Sequence, residues 1–84
     1  MPWRLAVSPR ARRDLAALPT ADREAMTAVL ERLTNDPSEV DFKKLAGGAG
    51  WRLRIGQWRA IVALNTRTGL MTVSRVLNRR DAYR

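Results

Sequence analysis

The apolar positions of this chain change period partway along it. Ala11, Leu15 and Leu18 recur at helical spacing, as do Met26, Val29, Leu30 and Leu33. From Trp51 the spacing drops to two: Trp51, Leu53 and Ile55 alternate with Arg52 and Arg54, as successive strand side chains do. A short run from Trp3 to Val7 predicts an opening strand. Ser8 and Pro9 supply a hydroxyl N-cap and a proline suited to the first helical position, Pro19-Thr20 breaks that helix, and Thr20 is expected to cap the next. Asp22 and Glu24 favour the positive end of the second helix dipole, and Asn35-Asp36-Pro37 should stop it. A polar connection through Glu39 and Asp41 leads to FKKLAGGAG, where Lys43 and Lys44 precede a glycine-rich bend, and then to strands, the last from about Leu70 to Leu77. The order predicts one α+β domain over residues 1–84: a short N-terminal strand, a two-helix hairpin, then an antiparallel sheet of three or four strands with the helices on one face.

The segment WRLRIGQWR carries the chemistry. Gly56-Gln57, with glycine first, suits a type II′ turn that pairs Ile55 with Trp58, Arg54 with Arg59, Leu53 with Ala60 and Arg52 with Ile61. That register gathers three guanidiniums on one face. Like charges opposite each other destabilise a sheet, so the cluster calls for an anion such as phosphate. Across the looser turn Asn65 to Gly69, pairing Leu64 with Leu70 would set Arg75 opposite Arg59, followed on that face by Leu77 and Arg79. A slip of one residue would send Arg75 to the other side. Trp51 and Trp58 share a face with Leu53, Ile55 and Val62 and read as packing residues.

Charge is distributed unevenly along the 84 residues. Residues 1–41 sum to −1, whereas residues 42–84 carry ten basic side chains and one acidic, Asp81, for +9. A neutral half joined to a cationic half predicts a scaffold that presents a polyanion site, nucleic acid before a membrane surface. The usual membrane device is a basic amphipathic helix, and here the arginines fall in strands. The chain has no Cys and no His, which removes disulfides, thiolate or imidazole metal sites and histidine-assisted nucleophiles. No metal and no cofactor is expected. With no 18-residue apolar run and too short an apolar stretch at the start for a signal peptide, a soluble cytoplasmic protein is the expectation.

SPRARRDLAALP, KKLAGGAGWRLRIGQWRAIV and RVLNRRDAYR together resemble the RelE/ParE superfamily of toxins from toxin–antitoxin pairs, whose central block runs "YRLRVGDYRVIY" and whose end runs "RVGHRRDVYR". The resemblance covers nearly the whole chain. Similarity to the RelE branch implies a cytoplasmic endoribonuclease that cuts messenger RNA on the ribosome and is silenced by a cognate antitoxin wrapped around it. The fold implied is RelE-like, akin to the microbial ribonucleases. The resemblance places the family's basic strand residues on Arg52 and Arg54, its next arginine on Arg59, its late arginine on Arg79 and its terminal tyrosine on Tyr83. A histidine common in the family is Asn78 here, and two lysines of the best-known branch are Arg52 and Arg54. Both departures narrow the proton-transfer groups, because arginine stays protonated and asparagine does not titrate.

RNA brings its own nucleophile, the 2′-hydroxyl, so the protein need only align it, stabilise the added charge and move protons. Arg54, Arg59, Arg79 and Tyr83 are the expected catalytic set. Arginine forks match phosphate oxygens, and cations near Tyr83 favour the phenolate of a general base. Arg52, Lys43, Lys44, Arg75, Asn78 and Arg80 complete the expected phosphate-binding set. Tyr83 lies one residue from the C-terminus, so an incidental role stands beside the catalytic one. Two other functions stay open at this point: a ParE-like inhibitor of DNA gyrase without nuclease activity, and an inactive module that binds nucleic acid or antitoxin.

Overall fold

The computed structural model describes residues 3–48 and 50–80. Strand β1 (Arg4–Val7) leads into α1 (Pro9–Ala16) and α2 (Thr20–Asn35), followed by β2 (Phe42–Lys44), β3 (Trp51–Ile55), β4 (Trp58–Asn65) and β5 (Leu70–Asn78). Five strands form one sheet in the order β1-β5-β4-β3-β2. The four later strands run antiparallel to their neighbours, and β1 lies parallel to β5 at the edge. The α+β class holds, and the four later strands are the expected antiparallel set; β1 joins them in parallel and makes the sheet a mixed one of five.

Local signals set both helices. Ser8 Oγ accepts the Ala11 N–H at 3.0 Å, and Pro9 opens α1. Thr20 does not cap α2. It takes the first helical position, and Pro19, already extended at φ −52° and ψ 147°, stands at the cap with no side-chain bond. The Pro19 carbonyl accepts the Arg23 N–H instead. The second helix ends at Asn35, as expected, and Asp36 caps a short 3-10 turn over Pro37–Glu39. Ala11, Leu18, Met26, Leu30 and Leu33 from the helical layer pack on Leu53, Ala60, Val62, Met71, Val73 and Val76 from one sheet face. Burying such side chains contributes about 1.5–3 kcal/mol each for the larger ones and is the main force joining the layers.

The β3–β4 register is the expected one, pair for pair. Gly56 has φ +56° and Gln57 does not share the positive sign, a pattern that fits a type II′ turn and excludes I′. Gly50 serves a different purpose: at φ +97° it enters β3 so closely that a Cβ would sit 3.0 Å from the Val62 carbonyl oxygen.

The β4–β5 register departs from expectation twice, and the departures offset each other. Asn65 pairs with Leu70 and Leu64 with Met71, a slip of one that would have moved Arg75 to the helix side. A bulge between Ile61 and Val62 then adds one residue to β5, so Arg75 pairs with Ile61 and Leu77 with Arg59. Arg75 therefore keeps its face but is not opposite Arg59. The FKK segment, placed before the glycine-rich bend but given no element from the sequence, is strand β2. Phe42 stacks on Trp51 with ring centroids 4.8 Å apart, which draws this short stretch onto the sheet edge.

Candidate nucleic-acid interface

Alternation leaves the sheet face away from the helices to the cationic residues. Two rows cross it. One runs Lys43, Arg52, Ile61, Arg75 and the next Arg54, Arg59, Leu77, each residue paired with its neighbour on the adjacent strand. Past the hairpin turn the Arg79 N–H donates to the Gln57 carbonyl at 2.6 Å, which extends the pairing and sets Arg79 beside the turn. Arg54, Arg79, Arg80 and Lys43 are exposed. Arg54, Arg79 and Lys43 are the cations this face offers to a ligand, with Arg80 next to Arg79 in the turn that follows β5.

The remaining arginines have found partners within the chain. Arg59 is only 2% exposed. Its Nη1 turns back to donate to the carbonyls of Gly56 at 3.2 Å and Trp58 at 3.1 Å, and its Nε, also buried, has no partner among the described residues. Arg52 donates from Nη2 to Asp41 Oδ1 at 3.2 Å. Arg75 donates from Nε to Asp14 Oδ2 at 2.9 Å. The charge cluster is thus relieved in part by turn carbonyls and by two carboxylates, so the clustering alone does not require an external anion. Two further assignments change. Lys44 pairs with Trp51 and Asn78 with Trp58, so both lie on rows of the opposite face. The Asn78 Oδ1 accepts the Arg80 N–H at 3.2 Å, a turn role. Tyr83 lies outside the described residues.

Neither Asp14 nor Asp41 stands out in the sequence as a partner for these arginines. Asp14 on α1 also accepts the Val76 N–H at 2.9 Å, on the part of β5 beyond the end of β1. Burial pushes its carboxyl up. Hydrogen bonds from Arg75 and the Val76 N–H, with the charges of Arg75 and Arg10, outweigh burial and hold it below the ordinary aspartate value. The only hint to Asp41 is its place, the last acidic residue before the basic half.

A cleft of about 220 Å3 lined by Gln57, Asn78, Arg79 and Arg80 opens at the end of the β4–β5 ladder. A larger one, about 420 Å3, lies between α2 and the hairpin turn among Asp22, Ala25, Ile55, Gly56, Gln57 and Trp58. It has no cationic wall, so size does not mark it as a polyanion site. Among the described residues no group of acidic side chains is placed to hold a metal ion, and no helix is long and apolar enough to cross a membrane.

Neither a family model nor a curated protein matches the sequence. Solved structures do match the fold. The toxin–antitoxin complex RelBE2 from Mycobacterium tuberculosis aligns over 94% of this chain and 100% of its own at 24% identity, with a TM-score of 0.83. The RelE–RelB complex from Pyrococcus horikoshii aligns over 96% and 99% at 22% identity and 0.81. A variant of Escherichia coli toxin RelE in the free state aligns over 98% and 87% at 18% identity and 0.78. The chain has the RelE toxin fold across nearly its full length.

Proposed function

We propose that this protein is the toxin of a toxin–antitoxin pair and acts in the cytoplasm as an endoribonuclease on ribosome-bound messenger RNA. The observation that carries the reading is the exposed pair Arg54 and Arg79 flanking the hairpin on the face away from the helices, within a RelE toxin fold. Both guanidiniums can grip non-bridging oxygens of one phosphate as planar forks. The 2′-oxygen of the preceding ribose attacks phosphorus, the bond to the 5′-oxygen breaks, and a 2′,3′-cyclic phosphate and a 5′-hydroxyl result. Tyr83, as phenolate, takes the 2′ proton and passes it to solvent, and the departing 5′-oxygen takes a proton from solvent water.

Arg59 has a different part in this scheme from Arg54. Buried and bonded to turn carbonyls, it holds the hairpin and adds positive potential beneath the phosphate. Lys43 and Arg80 bind flanking backbone. A basic face of this kind is also what an antitoxin would cover with an acidic segment that folds on binding.

Primer extension on a defined message in a purified translation system tests the reading. Cleavage that needs ribosomes and is lost in Arg54→Ala and Tyr83→Phe is the expected result. Intact message with wild-type protein would overturn it, and inhibition of gyrase on supercoiled DNA would then identify the ParE-like activity.

A further inference from the structure

The outer edge of β5 loses its strand partner partway along. β1 pairs as far as Val7 with Val73, and beyond that point Asp14 of α1 takes over, its Oδ2 accepting the Val76 N–H at 2.9 Å. The same oxygen accepts the Arg75 Nε–H at 2.9 Å, and Oδ1 lies 3.9 Å from Arg10 Nε. A single carboxylate therefore stands between two guanidiniums, and this corner of sheet and helix keeps a surplus of positive charge.

Both cations have room for a ligand. The bond to Asp14 occupies only Nε of Arg75; Nη1 and Nη2 make no hydrogen bond among the described residues, and the side chain is 36% exposed. That of Arg10 is 59% exposed, and at 3.9 Å it is too far from Asp14 for a hydrogen bond. Arg75 and Asp14 also line a cleft of about 260 Å3 beside the end of α1, so the pair borders open space. Arg75 ends the row that starts at Lys43, two strands over from Arg54 and so about 10 Å or more across the sheet from it. No one phosphate can meet both.

We infer that Arg75 and Arg10 form a second phosphate subsite, at the corner where the sheet meets α1, for the RNA backbone as it leaves the cationic face. The inference rests on the reading of the face as an RNA site. Fixed at Nε by the carboxylate, Arg75 presents its two Nη groups as a planar fork that has little freedom left to lose when a phosphate binds. Arg10, on the other side of Asp14, adds charge at the same place. Asp14 keeps its hydrogen bonds to Arg75 and Val76 throughout, so no ion pair has to break for the phosphate to enter.

The test is fluorescence anisotropy over a KCl series with two single-stranded 2′-O-methyl RNA oligonucleotides, which cannot be cut. One of about four nucleotides covers the phosphate on Arg54 and Arg79 and its neighbours, and one of about twelve also reaches the corner. On the longer RNA, Arg75→Gln should weaken binding roughly threefold or more and make the log–log salt slope shallower by about 0.7, the value for one phosphate contact on a single strand. Arg10→Gln, which disturbs no hydrogen bond to Asp14, should act in the same direction. Both variants should bind the shorter RNA as wild type does, and Arg67→Gln, the same charge change in the turn before β5, should alter neither. Equal losses on both RNAs, or an equal loss in Arg67→Gln, would mean that Arg75 acts through the fold or through net charge, and would overturn the subsite. Unchanged binding of the longer RNA in Arg75→Gln and Arg10→Gln, with weakening in Arg54→Ala, would overturn it and leave the RNA site standing. No loss in Arg54→Ala on either RNA would remove the RNA site and this inference with it.

Discussion

Arg54 and Arg59 face each other across the β3–β4 hairpin, yet one is exposed and the other is 2% exposed with its guanidinium folded onto the turn that joins them. The same residue type in paired positions therefore does two jobs. One cation is offered to a ligand, and the other braces the strand end that presents it.

The two arginines should separate under mutation. Arg54→Ala is expected to lower cleavage by about 100-fold or more, the usual cost of removing a donor to developing charge, with little change in thermal stability. Arg59→Ala should lower stability by about 2 kcal/mol, since it strips hydrogen bonds from two turn carbonyls and empties a buried site. Melting curves run beside cleavage assays check both. Equal stability losses in the two variants would contradict the division.

Asp14 predicts an acid limb to stability. Its folded-state pKa is held below the unfolded value, so the folded protein binds fewer protons there. That contribution is complete above the unfolded pKa and disappears as pH falls through the lower folded value. Asp36, held down by the Ser38 hydroxyl and N–H, acts in the same direction. Asp14→Asn should cost about 2 kcal/mol at pH 7 and flatten the acid limb. Urea titrations from pH 7 to pH 2 would show it, and parallel pH curves for wild type and variant would exclude it.

Gly50 and Gly56 should differ in cost. Both have positive φ, but nothing lies within 4 Å of a Cβ at Gly56, whereas one at Gly50 would press on the Val62 carbonyl. Gly56→Ala is expected to destabilise by about 1 kcal/mol from backbone conformation alone, and Gly50→Ala by more. Chemical denaturation decides the order.

Salt should weaken RNA binding steeply, because each neutralised phosphate releases condensed counter-ions. With Arg54 and Arg79 sharing one phosphate and Lys43 and Arg80 each on another, three phosphates are neutralised and the slope of log affinity against log salt should be about −2. A flat response in the anisotropy series would rule out an electrostatic face.

What the sequence determined by itself was whatever depends on neighbours along the chain. Gly56-Gln57 closes a two-residue loop, and such a loop dictates the pairs on either side, so Arg54 opposite Arg59 was legible from the residues alone. Ser8-Pro9 and Asp36-Pro37 likewise bound their helices, because capping and the missing proline N–H act within a turn. Only the tertiary structure decided the rest. A turn one residue shorter than expected and a bulge each moved β5 by one residue, and no local rule sets their balance. Lys43 and Lys44 were a pair in the sequence but fall on opposite faces once Phe42 stacks on Trp51. Arg52 and Asp41 are 11 residues apart, and Arg75 and Asp14 are 61 apart. Whether a cation on a strand is offered to RNA or held by a carboxylate depends on what packing brings beside it, and side-chain type and spacing carry no record of that.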